Sequence, residues 1–340
     1  MKVLFIGGTG NISEAVSRLT LERGIDLYLL NRGQRSELFP ERAKLLRGDI
    51  RDPQSATTAL QDHQFDVVVD WIAFTPAQVR LDIDLFKNRT GQYIFISSAS
   101  AYQKPVCDYL ITESTPLVNP YWQYSRDKIA CEELLMDAYR NQGFPITIVR
   151  PSHTYGKTSI PAGVDCWGKP WTLIDRIRRG KKIIIHGDGT SLWVLTHNTD
   201  FAVGFAGLLG NPRAIGQAFH ITSDEILSWN QIYQAIGNAT GVKINPVYIP
   251  SDFLAAVSPW GDGLLGDKSH SVVFDNRKIK RLVPEFAPKI LFSEGIKQSL
   301  AWFEDHPDHS EIDQGWNQQM DRVIEVYEEG IRLAKEKIVS

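Results

Sequence analysis

The first half of the chain carries short apolar runs without alternation, each followed by a stretch with helical periodicity. Residues 3–6 and 65–70 are typical of strands buried on both faces of a sheet. The same pattern predicts strands at 25–30, 43–47, 92–97 and 145–150, with a helix at 54–63 and a long helix that is entered within 121–128 and reaches about 141. Alternating strands and helices predict a Rossmann-like, doubly wound α/β fold with a parallel sheet.

The alternation weakens after residue 152. Residues 154–170 hold several Gly and Pro and predict a loop, and later segments predict helices at 171–179, 199–209 and 228–238 and strands at 182–185, 217–221 and 242–249. We therefore expect a nucleotide-binding domain over 1–152, with about 183–222 returning to its sheet. A smaller mixed α/β substrate lobe would comprise about 153–182 and 223–310. Residues 311–340 should form an amphipathic C-terminal helix packed on the body through Trp316, Met320, Val323, Tyr327 and Ile331.

A glycine-rich turn separates the first strand from the first helix. Glycines permit tight turning and close approach of the backbone to a pyrophosphate, and the helix N-terminus supplies free N–H groups. The sequence alone leaves open a tight βα turn that binds nothing. The candidate cofactor-binding residues of this turn are Gly7, Gly8, Thr9, Gly10, Asn11 and Ile12.

The end of the second predicted strand bears on which dinucleotide would bind. An acidic residue there binds the ribose 2′-hydroxyl of NAD, whereas a nearby Arg accommodates the 2′-phosphate of NADP. The chain has Asn31 and Arg32 at this point, followed by Arg35, and no acid. This favours NADP over NAD, although arginines after a strand also occur for solubility alone.

The composition excludes several classes of function. The 340 residues carry a formal net charge of −3, so there is no basic field to attract nucleic acid or an anionic membrane. The three cysteines are too few and too scattered for a disulfide framework or a zinc site. No run has the length of a signal peptide or a membrane span. We expect a soluble cytoplasmic protein with no metal site.

Tyr124 and Lys128 stand four residues apart on a predicted helix and so share one face. A neighbouring ammonium favours the phenolate and lowers the pKa of a tyrosine, which could then exchange a proton with a substrate hydroxyl or carbonyl. Ser98, after the fifth strand, could hydrogen-bond the same oxygen. A Tyr–Lys pair at this spacing is also common on ordinary helices.

The order of these motifs is informative. Gly7-x-x-Gly10-x-x-Ser13, the serines of residues 97–100, Tyr124-x-x-x-Lys128 and a strand ending in Arg150-Pro151 follow one another. The chain thereby resembles an extended or atypical short-chain dehydrogenase/reductase of the NAD-dependent epimerase/dehydratase family, with Ser13 in place of the usual third glycine.

The resemblance implies roles for individual residues. Ser98, Tyr124 and Lys128 would be catalytic, and Lys128 would also hold the nicotinamide ribose. The remaining cofactor contacts that it implies are Asp49 and Ile50 at the adenine, Ala73 near the pyrophosphate and ribose, and Pro151 and His153 beside the nicotinamide. Asp49 is equally well explained as a turn residue. A homodimer through helices around 76–87 and 124–139 is implied as well.

The chain differs from the family's sequence motifs at several positions, and these differences reduce the range of reactions and substrates that we expect. Its 4,6-dehydratases carry an Asp-Glu pair after the catalytic Ser/Thr, where this chain has Ala99 and Ser100, which disfavours dehydration. Trp193 stands where nucleotide-sugar members usually carry an arginine. Aromatic faces suit sugar rings, although core packing explains any single tryptophan equally well. The candidate substrate contacts are Ser100, Trp122, Trp193 and His197.

We therefore expect an NAD(P)-dependent oxidoreductase or epimerase. It would act on a secondary alcohol or ketone of a sugar-like small molecule, without a nucleic-acid partner. The alternative is a non-catalytic nucleotide sensor or an RNA-associated member of the family.

Overall fold

The computed structural model describes residues 1–33, 40–61 and 63–338. Arg35, one of the arginines that favour NADP, lies outside these residues. The strands are β1 (Lys2–Ile6), β2 (Asp26–Asn31), β3 (Lys44–Arg47), β4 (Phe65–Asp70), β5 (Thr90–Ile96), β6 (Leu110–Ile111), β7 (Ile146–Pro151), β8 (His153–Tyr155), β9 (Lys182–His186), β10 (Leu192–Trp193), β11 (Leu195–His197), β12 (Gln217–Ile221), β13 (Leu227–Ser228), β14 (Asn245–Ile249) and β15 (Val273–Phe274).

The α-helices surround these strands. They are α1 (Ser13–Glu22), α2 (Pro53–Leu60), α3 (Pro76–Phe86), α4 (Gln123–Gln142), α5 (Trp171–Arg178), α6 (Asn198–Ala206), α7 (Trp229–Thr240), α8 (Ser251–Val257), α9 (Gly261–Gly263), α10 (Arg277–Leu282), α11 (Phe292–Asp305) and α12 (Gln314–Ile338). Single 3₁₀ turns occur at Ala99–Ala101, Pro212–Ala214 and Pro307–His309, and a π turn at Leu264–Lys268.

Within the described residues, seven parallel strands form the central sheet in the order β12-β7-β5-β4-β1-β2-β3. The order reverses beside β1, which places the glycine turn at the switch point where ligands bind in such sheets. The α/β, Rossmann-like fold expected from the sequence is confirmed.

The two faces of the sheet bury alternate residues of the same strands. Val3 and Phe5 pack on the face covered by α1 and α6, whereas Leu4 and Ile6 pack on the face covered by α2, α3 and α4. All four side chains are fully buried. Each contributes about 1.5–3 kcal/mol of transfer free energy. This two-sided burial explains why the strand shows no alternation in sequence.

Strand β9 belongs to the smaller lobe, although the sequence predicts that residues from about 183 onward return to the central sheet. Strand β9 pairs in parallel with β14 rather than with the central sheet. Its Ile183, Ile184 and Ile185 are buried in a separate core with Trp229 and Tyr233. The return expected from about residue 183 therefore begins later, with α6, which packs on the central sheet, and β12, which joins it. An apolar run predicts burial, but it does not say in which sheet.

The C-terminal helix is packed on the lobe along its first half only. Trp316, Met320 and Val323 are buried, whereas Ile331 is 40% exposed, so the predicted apolar stripe packs less far than expected. The buried guanidinium of Arg176 anchors the helix through Asn317 and Asp321. Among the described residues, no helix combines the length and apolar character needed to cross a membrane.

Candidate active site

The glycine turn forms a cradle at the N-terminus of α1. Gly7 and Gly8 have φ angles of +93° and +95°. A Cβ at Gly8 would lie 2.7 Å from Leu29 Cδ2, so only glycine fits there. Ile12 begins the helix without a side-chain cap, which leaves N–H groups of the first turn for an anion. These residues fit a dinucleotide pyrophosphate.

Ser13, which stands in place of the usual third glycine, forms a hydrogen bond within the turn. The Gly10 N–H donates to Ser13 Oγ at 2.9 Å. Thr9 lies half-buried beside it. Asn11 joins the turn to the rest of the site, since its amide donates to the Thr154 carbonyl at 3.0 Å, while its Oδ1 is buried without a partner.

Asn31 ends β2 at the position where the adenine ribose is expected. Its Oδ1 accepts the Gly33 N–H at 2.8 Å, and its Nδ2 is buried without a hydrogen-bond partner. Arg32 follows and is exposed. The side chains at this position offer donors and no carboxylate, consistent with the sequence-based expectation.

Two of the expected cofactor contacts border one small cleft. Ile50 and Ala73 are buried and line it with Ile72, and polar side chains, among them Arg51 and Gln78, complete its wall. The carboxylate of Asp49 accepts the Arg51 N–H at 3.0 Å, so it stabilises its own turn. The sequence leaves open whether Asp49 contacts the adenine or stabilises a turn, and this hydrogen bond supports the role in the turn.

Ser98 and Tyr124 meet beyond the carboxyl end of β5. Ser98 is the second residue after that strand, and Tyr124 is the second residue of α4. Burial raises the pKa of Tyr124 above its ordinary value and the charge of Asp267 adds to this, while the neighbouring Ser98 hydroxyl lowers it by a smaller amount.

Lys128 lies one turn further along α4 and is buried. Its ammonium donates to the carbonyls of Ala73 and Ile96, both at 2.7 Å. Burial lowers its pKa to about 8. Its Nζ lies 5.8 Å from the centre of the Tyr124 ring. The expected lowering of the Tyr124 pKa by Lys128 is absent here, because the ammonium is directed at two backbone carbonyls.

Ser98 belongs to a row of hydroxyls that runs under the site. Ser98 Oγ lies 2.9 Å from Ser100 Oγ, and Ser125 Oγ donates to Ser100 Oγ at 2.7 Å. Ser100 is only 2% exposed. The structure therefore places Ser100 behind Ser98 and not at the expected substrate-facing position. From there its hydroxyl orients the hydroxyl of Ser98.

The expected aromatic and histidine contacts have different positions. Trp122 packs on Tyr124 with ring centres 4.9 Å apart, beside the site. Trp193 is 3% exposed and packs on Trp229 in the lobe core. His197 is 4% exposed, and its Nδ1 accepts the Thr199 N–H at the start of α6. Trp193 therefore packs in the core of the lobe, and His197 caps the start of α6, so both side chains stabilise the fold.

His153 carries a fixed tautomer next to the site. Pro151 ends β7, and His153 follows in β8. An indole N–H can only donate, so the 3.4 Å contact from Trp193 Nε1 makes His153 Nδ1 the acceptor and puts the proton on Nε2. Burial lowers the His153 pKa to about 4, so the ring is neutral at physiological pH.

Comparison with known proteins identifies the family. The model of the NAD dependent epimerase/dehydratase family matches residues 3–90 and 83–222, which is more than half of the chain. The chain belongs to this family. The glycine turn and the Ser98, Tyr124 and Lys128 side chains all lie within the matched residues.

Individual relatives in the family are distant. The chain is 26% identical over 293 residues to 2′-dehydrokanamycin reductase of Streptomyces kanamyceticus, covering 84% of this chain and 80% of that protein. It is 26% identical to the chloroplast stem-loop binding protein of 41 kDa b of Arabidopsis thaliana, covering 74% of this chain and 67% of that protein. The structure of UDP-glucuronic acid 4-epimerase from Bacillus cereus in complex with NAD aligns with a TM-score of 0.71 at 19% identity, covering 90% of this chain and 99% of that one.

Sequence reasoning missed a buried carboxyl pair beneath the cofactor cleft. Asp70 and Asp82 are 2% and 1% exposed, and their carboxyl groups lie close enough to affect each other's pKa. Burial and the charge of Asp70 raise the Asp82 pKa well above its usual range. Asp70 accepts the N–H groups of Ile72 and Ala73 at 2.6 and 2.8 Å. The pair thus holds the loop whose Ala73 carbonyl binds Lys128.

A second missed group is the ion pair of Lys104 and Asp267. Lys104 Nζ lies 3.7 Å from Asp267 Oδ1, and the lysine side chain is 1% exposed. Asp267 belongs to the π turn of the lobe and acts electrostatically on Tyr124. Neither residue carries a motif that could have identified it. Across the described ranges, no group of three or more His, Cys, Asp or Glu side chains could hold a metal ion.

Proposed function

We propose that the protein is an NAD(P)-dependent oxidoreductase that interconverts a ketone and a secondary alcohol on a sugar-like small molecule. The observation that carries this proposal is the placement of the Ser98 hydroxyl beside Tyr124, close enough to affect its pKa, with the buried ammonium of Lys128 one helical turn away. A serine and a tyrosine hydroxyl side by side can bind one substrate oxygen and move its proton. The similarity to a protein named as a reductase supports the direction of reduction.

The bound dinucleotide would supply or accept a hydride. Tyr124 Oη would hold the proton exchanged with the substrate oxygen, and Ser98 Oγ would hold that oxygen in place. The serine row would orient Ser98, since Ser100 and Ser125 fix the direction of its hydroxyl. Lys128 would hold the nicotinamide ribose and favour the phenolate form of Tyr124 when its ammonium is released from the two carbonyls.

We further propose that the reaction is not a dehydration. A 4,6-dehydration needs an acid and a base beside the catalytic hydroxyl. The positions after Ser98 are Ala99, which is buried and apolar, and Ser100, which is bonded to two other serines. Neither can serve as a carboxylic acid–base pair.

The cofactor of choice is NADP in this proposal. The support is the absence of an acid at Asn31 and the exposed arginine that follows it. The affinities of the chain for NADP and NAD test this preference within a family named for its dependence on NAD.

The test is hydride transfer, followed by nicotinamide absorbance with a panel of keto sugars and amino-sugar ketones. The wild type should turn over at least one member, and Tyr124→Phe should lower kcat by about two orders of magnitude or more, since a proton donor is lost. Tyr121→Phe, which alters a partly exposed tyrosine three residues away, serves as the matched control and should retain activity. Full activity of Tyr124→Phe would overturn the assignment.

The second candidate is a nucleotide-binding, RNA-associated protein without catalysis. The observation that favours it is the similarity to the chloroplast stem-loop binding protein. The net charge of −3 opposes it, because binding to a phosphate backbone is driven by basic residues. Tight binding of a stem-loop RNA at physiological salt, together with absent hydride transfer, would favour this candidate.

A further inference from the structure

The carboxyl edges of β2 and β3 bring a second arginine to the adenine ribose position. In the parallel pairing of these strands, Asn31 stands directly opposite Arg47. Residues opposite each other in a ladder project from the same face of the sheet. Arg47 therefore shares the face and the edge of Asn31, although it lies 16 positions later in sequence.

The Arg47 side chain lies over the turn that follows Asn31. Gly33 has a φ angle of +74°, and a Cβ placed on it would lie 3.4 Å from Arg47 Nε and 3.8 Å from Cζ. These separations are those of ordinary van der Waals contact, so the Arg47 guanidinium packs directly beside the turn.

Within the described residues, the Arg47 guanidinium has neither an ion pair nor a hydrogen bond. Asp49 lies two residues further along the chain, and its carboxylate already accepts the Arg51 N–H. The structure thus gives Arg47 no internal role as the partner of a carboxylate.

Asn31 adds an unsatisfied donor at the same place. Its Nδ2 is buried and lacks a partner, which costs about 1–3 kcal/mol unless a ligand accepts its hydrogen bond. An unpartnered amide donor, an adjacent guanidinium without an internal partner and the following Arg32 together suit an acceptor with high negative charge. A ribose hydroxyl carries no charge, whereas a phosphate monoester carries nearly two.

We propose that Arg47, with Arg32 and the Asn31 amide, forms the binding site for the 2′-phosphate of NADP, and that Arg47 determines the preference for NADP over NAD. This inference rests on the proposed function, because it assumes that a dinucleotide occupies the glycine turn. Arg47 provides two or more N–H donors to the phosphate from the neighbouring strand, and Arg32 approaches it from the strand end.

The experiment measures the Kd values of NADP and NAD for the full chain by isothermal titration calorimetry. The wild type should prefer NADP. Arg47→Ala should weaken NADP by about ten- to a hundredfold, as expected for loss of charge-assisted hydrogen bonds, and leave NAD within about threefold. Arg47→Lys should recover part of the affinity, since it restores the charge without the planar fork.

Arg322→Ala is the matched control, because it removes an exposed arginine on the distant C-terminal helix and should change neither Kd. A wild type that prefers NAD, or an Arg47→Ala variant with unchanged or equally weakened affinity for both nucleotides, would overturn the inference and leave the proposed hydride transfer through Tyr124 standing. A wild type that binds neither nucleotide would overturn both.

Discussion

The buried ammonium of Lys128 makes a prediction about stability that needs no substrate. Its pKa falls from 10.5 to about 8 because burial disfavours the charged form. The unfolded chain keeps this proton up to about pH 10.5, whereas the folded protein releases it near pH 8. The free energy of unfolding contributed by Lys128 therefore rises with pH across this window, by about 3 kcal/mol in total.

The comparison is between the wild type and Lys128→Met. The methionine has similar length but no charge, and it leaves the carbonyls of Ala73 and Ile96 without their donor, which costs a constant amount at every pH. The difference in unfolding free energy, wild type minus variant, should rise by about 2–3 kcal/mol between pH 7 and pH 10. Lys335→Met, on the exposed end of α12, should show no such rise.

Urea unfolding followed by tryptophan fluorescence at several pH values measures this difference. The sign is the diagnostic, because a lysine stabilised by a counter-ion would give the opposite slope. A wild-type-minus-variant difference that stays flat or falls towards pH 10 would refute the reasoning that desolvation dominates at Lys128.

Two further predictions concern buried polar groups. Asp82→Asn keeps a donor to Asp70 but cannot titrate. Because the pKa of Asp82 is raised in the folded protein, the wild type should lose stability relative to the variant as the pH rises from 4 towards neutrality. Urea unfolding measures this difference in stability, and a difference that does not change with pH would contradict the prediction. Tyr155→Phe removes a fully buried hydroxyl that has no partner, so the unfolding free energy should stay equal or rise by up to about 1 kcal/mol; a loss above about 1 kcal/mol would show that the hydroxyl is satisfied after all.

The parts of the molecule that follow from local sequence were predictable. Residues 65–70 form β4 as expected, and residues 217–221 form β12. Pro76 opens α3, where Thr75 and Gln78 complete a capping box. The proximity of Ser98 to Tyr124 was expected from the order of the motifs and from the family that they resemble.

What the sequence did not reveal depends on long-range packing. Asp82 lies on the buried face of α3 with Val79 and Ile83, and this aspartate among apolar positions was the available signal for the pair with Asp70. Arg47 is 14 residues from Gly33 along the chain, and only strand register brings them together. Trp193 was a candidate substrate contact, but its side chain is buried against Trp229 in the lobe core. The position of a tryptophan in the sequence does not tell whether its ring faces a cleft or the core.

The central claim is that a dinucleotide bound at the glycine turn works with Tyr124. Native mass spectrometry of the purified wild type and of Tyr124→Phe, before and after addition of NADP and of NAD, tests it most directly. We predict that both proteins bind a dinucleotide with similar affinity, while the wild type alone transfers hydride to a carbonyl substrate. Failure of the wild type to bind either nucleotide would contradict the account of the glycine turn and everything built on it.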